Sequence, residues 1–172
     1  MINRYEIYRS RYLAGCVKRY SSWPMLHEQT VGHHCWRMAC IFIEVFGMPR
    51  AEVLYYCLLH DSGELFAGDI PFGVKVQVPG LKDAMDQAEA IGRHQLGLKL
   101  PELTKEERIQ AKICDYLEMH ETGEHEMNLG NRYAEAVVLD TMHAAQKLAK
   151  ESCMSEHVNN WLRERGSGKH VR

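Results

Sequence analysis

Apolar residues recur at steps of three and four along most of the chain, and alternating runs rich in Val, Ile and Thr are almost absent. The pattern predicts an all-α fold, a compact helical bundle. A first helix is expected from Arg4 to Val17, followed by a polar connection through Ser21-Ser22-Trp23-Pro24, where Pro24 forbids simple continuation. A second helix begins near Val31. Its apolar positions Met38, Ile41, Phe42 and Val45 continue the face that carries His34, and Gly47 with Pro49 ends it, so His34 is expected to look into the core. A third helix, Arg50 to His60, turns Val53, Leu54, Cys57 and Leu58 inward and leaves His60 and Asp61 at its C-terminal end. From Gly63 to Gly80, four glycines and two prolines predict loop or short turns, which hold Glu64, Asp69 and Lys75. A fourth helix is expected from Leu81 to Leu96. Pro101 precedes a fifth that opens with the capping box Thr104-Lys105-Glu106-Glu107 and carries Asp115 about three turns in. Helices at Arg132 to Lys150 and Ser155 to Arg165 complete one domain over residues 1–165, and 166–172 reads as a disordered tail.

At 172 residues the chain can bury a full core in a globule with a radius of gyration of about 16 Å, without disulfides or a partner. With 21 Lys plus Arg against 23 Asp plus Glu, the net charge of −2 offers no basic excess for a polyphosphate backbone. That argues against a nucleic-acid polymer as partner and leaves a single nucleotide open. Six scattered cysteines with no C-x-x-C pair read as reduced core residues. There is no apolar leader at the N-terminus and no run of 18 apolar residues, so no membrane partner is expected and the cytoplasm is the expected location.

Ten histidines shift attention to chemistry. An Asp on an apolar helix face needs a partner, and Asp115 lies between Ile113-Cys114 and Leu117. His34, His60, Asp61 and Asp115 together offer two imidazoles and two carboxylates from three helices, a mixed N/O set suited to a divalent ion among Co, Mn, Zn, Fe, Ni and Mg. Other motifs carry less. His33 points about 100° away from His34 and reads as a residue supporting a ligand or lying at the surface rather than as a ligand itself. His120-Glu121-Thr122-Gly123-Glu124-His125 has its histidines five apart rather than four, and Gly123 is expected to interrupt the helix there, leaving a frayed end. Gly166-Ser167-Gly168-Lys169 lacks the spacing of a phosphate-binding loop. Met38, Met85, Met119 and Met142 read as packing residues.

The set His34, His60-Asp61, Asp115 resembles the H…HD…D pattern of the HD-domain metal-dependent phosphohydrolases. The stretch His60-Asp61-Ser62-Gly63-Glu64-Leu65-Phe66-Ala67-Gly68-Asp69-Ile70-Pro71, with Val74-Lys75, is similar to the signature of bacterial 5′-deoxynucleotidases and small phage deoxynucleoside triphosphate hydrolases. The likeness covers about residues 10 to 120. It implies an HD-domain bundle with the four residues as metal ligands, Glu64 and Asp69 as the proton-handling pair, and Arg19, Lys75 and Lys112 on the phosphates. Relatives usually carry a tryptophan after that arginine to stack on the base. Here the position is Tyr20, with Trp23 three residues on.

The resemblance therefore implies a deoxynucleotide phosphohydrolase. The short chain, with little beyond the catalytic bundle, favours a phage-type enzyme that splits dATP into deoxyadenosine and triphosphate. A 5′-deoxynucleotidase acting on monophosphates would use the same residues. A non-catalytic nucleotide-binding regulator is the reading from another class, against which the presence of both Glu64 and Asp69 speaks. Members of the family assemble as homo-oligomers, dimers or hexamers, and Trp161 is expected to be an exposed aromatic suited to such an interface.

Overall fold

The computed structural model describes residues 4–70 and 77–166. Lys75, Pro71 and Val74 of the signature therefore lie outside the described residues, as does nearly all of the expected tail. The helices are α1 (Arg4–Gly15), α2 (Val31–Phe46), α3 (Ala51–Leu59), the single turn α4 (Glu64–Ala67), α5 (Leu81–Gln95), α6 (Lys105–Asn128), α7 (Glu135–Glu151) and α8 (Ser155–Gly166). Short 3₁₀ turns occupy His60–Gly63 and Arg132–Ala134. No strand occurs among the described residues, so the all-α bundle stands as expected.

The caps follow from the sequence. Thr30 accepts a hydrogen bond from the backbone N–H of His33 to open α2, and Thr104 and Glu107 form the reciprocal capping box of α6 at 3.2 and 2.7 Å. Arg50 grips both oxygens of Glu107 at 2.6 and 2.8 Å, which ties the start of α3 to the start of α6. The connection after α1 is a closed loop. Lys18 bridges Thr30 in antiparallel fashion, and the N–H of Arg19 donates to the carbonyl of Gln29 at 2.9 Å. A Cβ on Gly32 would lie 3.0 Å from the carbonyl oxygen of Gly15, so the end of α1 rests directly on the start of α2. Arg19 and Tyr20 are thereby held beside His34.

One core joins α2, α3, α6, α7 and α8 around Met38, Ile41, Val53, Ile113, Leu117 and Val158. Each such side chain contributes about 1.5–3 kcal/mol by burial, which makes the α2–α6 seam a rigid base for chemistry. A smaller cluster of Ala14, Leu96 and Leu98 packs α1 and α5 beneath Leu59 and Leu65.

Several expectations are corrected. Leu58 is exposed rather than buried, and of the cysteines, Cys16 and Cys153 are exposed while Cys35, Cys57 and Cys114 are core. Trp161 is 5% exposed. It packs in the core, donates from Nε1 to Glu44 at 3.1 Å and lies under the guanidinium of Arg165, so it offers no interface. Gly123 does not break α6, which runs on to Asn128. A Cβ there would lie 2.8 Å from the side chain of Val138, so this glycine instead admits α7 to close contact.

Candidate metal centre and active site

Three elements converge on one buried point. His34 comes from the start of α2, which the apolar face around Met38 and Ile41 turns inward. His60 and Asp61 occupy the 3₁₀ turn after α3, and Asp115 projects from the middle of α6. That 3₁₀ turn is pressed onto α5. A Cβ on Gly63 would sit 2.3 Å from the carbonyl oxygen of Glu89, and one on Gly92 would meet the carbonyl oxygen of Gly63 at 2.9 Å. Arg93, also on α5, donates to the carbonyl of His60 at 2.8 Å. The HD turn is thus clamped by a second helix through a pair of glycines.

At the convergence, Nε2 of His34 lies 3.5 Å from Oδ2 of Asp61 and 3.4 Å from Oδ1 of Asp115, and Nε2 of His60 lies 3.2 Å from Oδ1 of Asp61. Ligand atoms of His34, His60 and Asp61 all fall within 4.8 Å of one another. Both imidazoles are fixed from behind. Nδ1 of His34 donates to the buried carboxylate of Glu118, and Nδ1 of His60 faces the carbonyl of Cys57 at 3.1 Å, so each ring presents a free Nε2. The Nε2 of His34 is completely buried without a hydrogen-bond partner. An orphaned imidazole nitrogen between two carboxylates is costly unless a cation completes it, and the donor set of two nitrogens and two carboxylates fits a divalent ion.

The charges around this point are strongly biased. Burial alone would raise the pKa of Asp61, but His60, Arg19 and His34 hold it below the ordinary carboxylate range. Burial opposes ionisation of Asp115 too, yet Lys112, His34 and His60 keep its pKa low. Arg19 donates from Nη1 to Asp61 at 2.8 Å, and Lys112 donates to Asp115 at 2.6 Å while its ammonium rests over the ring of Tyr116. Arg19 and Lys112, two of the three cations expected on the phosphates, therefore already sit on the carboxylates of Asp61 and Asp115.

Glu64, on the first turn of α4, is 4% exposed and its Oε2 has no partner. Burial, then the nearby Asp61, pushes its carboxyl up to about 9, so it holds a proton when no cation is present. Asp69 is tied to the loop after α1. Its Oδ2 accepts the backbone N–H of Tyr20 at 2.7 Å, which anchors that residue in the left-handed region at φ 56°. The phenolic oxygen of Tyr20 is buried and unpartnered, while Trp23 is exposed.

Glu118 is not among the site residues expected from the sequence. It accepts from Gln29 at 2.7 Å and Thr122 at 3.0 Å through Oε1 and from His34 through Oε2. A signal is nevertheless present: Glu118 lies three residues beyond Asp115 on the same helix face and directly follows the core residue Leu117.

Residues 13–153 match a protein family described as YfbR-like, 5′-deoxynucleotidase YfbR-like. Comparison with curated proteins gives no match. Among solved structures, an HD-domain phosphohydrolase from Listeria innocua superposes with a TM-score of 0.69 at 21% identity, covering 93% of this chain and 86% of its own. The cyanophage S-2L HD phosphohydrolase DatZ, solved with dA and one catalytic Zn²⁺, superposes at 0.60 and 18% identity, covering 93% of this chain and 98% of its own. At these identities the two structures establish likeness of fold.

Proposed function

Because the chain belongs to the YfbR-like 5′-deoxynucleotidase family, we propose that it cleaves the bond between the α-phosphorus and the 5′ oxygen of a 2′-deoxynucleotide, with dATP giving deoxyadenosine and inorganic triphosphate. It is a metal-dependent phosphohydrolase whose cofactor is a divalent metal ion. The observation that carries the substrate reading is the meeting of two back-fixed imidazoles and two carboxylates with Arg19 and Lys112 at its edges.

In this reading His34, His60, Asp61 and Asp115 hold the ion. When bound, the ion supplies Lewis-acid polarisation of phosphate oxygens and lowers the pKa of water from about 15.7 toward neutrality. Arg19 and Lys112 exchange part of their hold on the ligand carboxylates for phosphate oxygens, so charge that builds on the transferred group meets preplaced cations. Lys75 is assigned to the same task from the sequence. Glu64 takes the proton of the attacking water and returns one to the departing 5′ oxygen. Asp69 fixes Tyr20, whose ring walls the base site, and stands close enough to Glu64 to act on its charge. The dA held by the cyanophage protein supports adenine as the base.

Hydrolysis of a monophosphate breaks the same bond, and the family description favours that second reading. A panel of mono-, di- and triphosphates of all bases in ribo and deoxy forms, with the inorganic product identified, separates them. Release of triphosphate from dATP is expected. Activity confined to monophosphates would put the nucleotidase reading first, and no phosphate release with any divalent ion would sink both.

A further inference from the structure

On the other side of Glu118 from the HD centre, a cleft of about 630 Å³ opens between the 24–30 loop, the start of α2 and the last turns of α6. It contains three imidazoles, from His27, His33 and His125, none of which the catalytic reading uses. The ring centroids of His27 and His125 are 5.5 Å apart, and those of His27 and His33 are 6.2 Å apart. For comparison, the rings of His34 and His60 in the HD centre are 5.6 Å apart. A metal–nitrogen bond of about 2.0–2.1 Å places a ring centroid about 3.2 Å from the ion, so two rings sharing a tetrahedral ion lie about 5 Å apart. The second cluster thus has the spacing of a shared ion at one pair and is about 1 Å wide of it at the other.

His27 is held in place by built structure. Both oxygens of the fully buried Glu126 accept backbone N–H groups, from Leu26 and His27, each at 2.7 Å, and Asn131 closes the arrangement by bonding Glu126 and the carbonyl of Pro24 at 2.7 Å. The loop is therefore pinned to the end of α6, beside His125. The lining is net acidic, with five glutamates against two arginines, and both arginines are already paired with Glu121. Among the described residues only His34, His60 and Asp61 have ligand atoms gathered within 4.8 Å, so the second cluster closes by ring rotation, which three exposed side chains permit.

We propose that His27, His33 and His125 form a second site for a divalent transition-metal ion of the imidazole-preferring kind, Zn²⁺, Ni²⁺, Co²⁺ or Cu²⁺. Mg²⁺ and Ca²⁺, which prefer oxygen ligands, are excluded from it. The site is independent of the HD centre in its ligands and shares only the wall residue Glu118 with it.

The test uses metal-free chain titrated with Zn²⁺ by calorimetry, with metal content measured after gel filtration. Two zinc ions per wild-type chain are expected, and one for His125→Ala, His27→Ala or His60→Ala. His60→Ala combined with His125→Ala should retain none. The His125→Ala chain should keep its circular dichroism and its phosphohydrolase rate with one ion bound, since this exposed residue touches neither the core nor the HD ligands. Because folding is read separately, a collapsed His27→Ala chain would leave His125→Ala and the milder His33→Gln to decide. One zinc per wild-type chain, or two retained by His125→Ala and His33→Gln alike, would overturn the proposal.

Discussion

Replacing Glu118 by glutamine changes one oxygen into an amide nitrogen at almost constant volume, and the hydrogen bonds around that side chain dictate the consequence. The carboxylate of Glu118 accepts from His34 Nδ1 on one side and from Gln29 and Thr122 on the other. A glutamine cannot serve both sides. With its amide nitrogen toward His34, it meets an N–H donor with a donor. The imidazole then moves its proton to Nε2, the atom that faces Asp61 and Asp115 and would ligate the ion. With the amide flipped, Gln29 and Thr122 lose their acceptor inside a region where Glu118 is 1% exposed. Losing the orienting partner of a metal-bound histidine costs about 10–100-fold in affinity, or about 1.4–2.8 kcal/mol. An unsatisfied buried group costs about 1–3 kcal/mol of stability. Zn²⁺ affinity of the HD centre, measured by competition against a chromophoric chelator on a His125→Ala background, should fall by that factor. The catalytic rate at saturating metal should change much less, because the ligands themselves remain. A Glu118→Gln chain that folds normally and holds zinc within about threefold of the parent would refute the argument that this carboxylate sets the tautomer of His34.

Glu64→Gln should lower the catalytic rate by about two to four orders of magnitude with metal still bound, the usual scale for lost acid–base help; loss of the metal instead would make Glu64 a ligand. In the metal-free chain the folded carboxyl, pushed up to about 9 by burial and then by Asp61, keeps a proton that the unfolded chain releases near its ordinary value of about 4.3. Stability should therefore fall as pH rises from about 4 to about 9, and Glu64→Gln should flatten that slope in thermal melts. Gly63→Ala places a methyl 2.3 Å from the backbone of α5, so the HD turn must move; a stability loss of at least about 1–3 kcal/mol and weakened metal binding should appear together, and an unchanged melt would contradict the clamp. Lys112→Ala should lose more activity on triphosphates than on monophosphates if this cation reads the phosphate chain, whereas equal losses would confine it to steadying Asp115.

Residues whose role depends on their own helix are legible in the sequence. His34 shares its face with Met38 and Ile41, Asp115 follows Ile113 and Cys114, and the capping box of α6 declares itself in four letters, so periodicity anticipates the convergence of the candidate metal-binding side chains. Glu118 obeys the same rule, lying three residues beyond Asp115 and directly after the core residue Leu117.

The glycines need information that one segment does not carry. Gly123 reads as a helix breaker because glycine costs about 1 kcal/mol in a helix interior. That cost is intrinsic to one stretch of sequence, while the gain depends on the surface that approaches. Here the missing Cβ lets Val138 close to within what would be 2.8 Å, and α6 and α7 pack along their length. Gly63 and Gly92 make the same exchange between the HD turn and α5. The effect of misreading such a glycine propagates. A helix that frays at Gly123 leaves His125 in solvent, whereas a helix that continues to Asn128 carries His125 to the mouth of a cleft, its ring 5.5 Å from that of His27. Reading the glycine as a contact brings His125 beside His27 and His33, and with it the second cation site that the zinc stoichiometry tests.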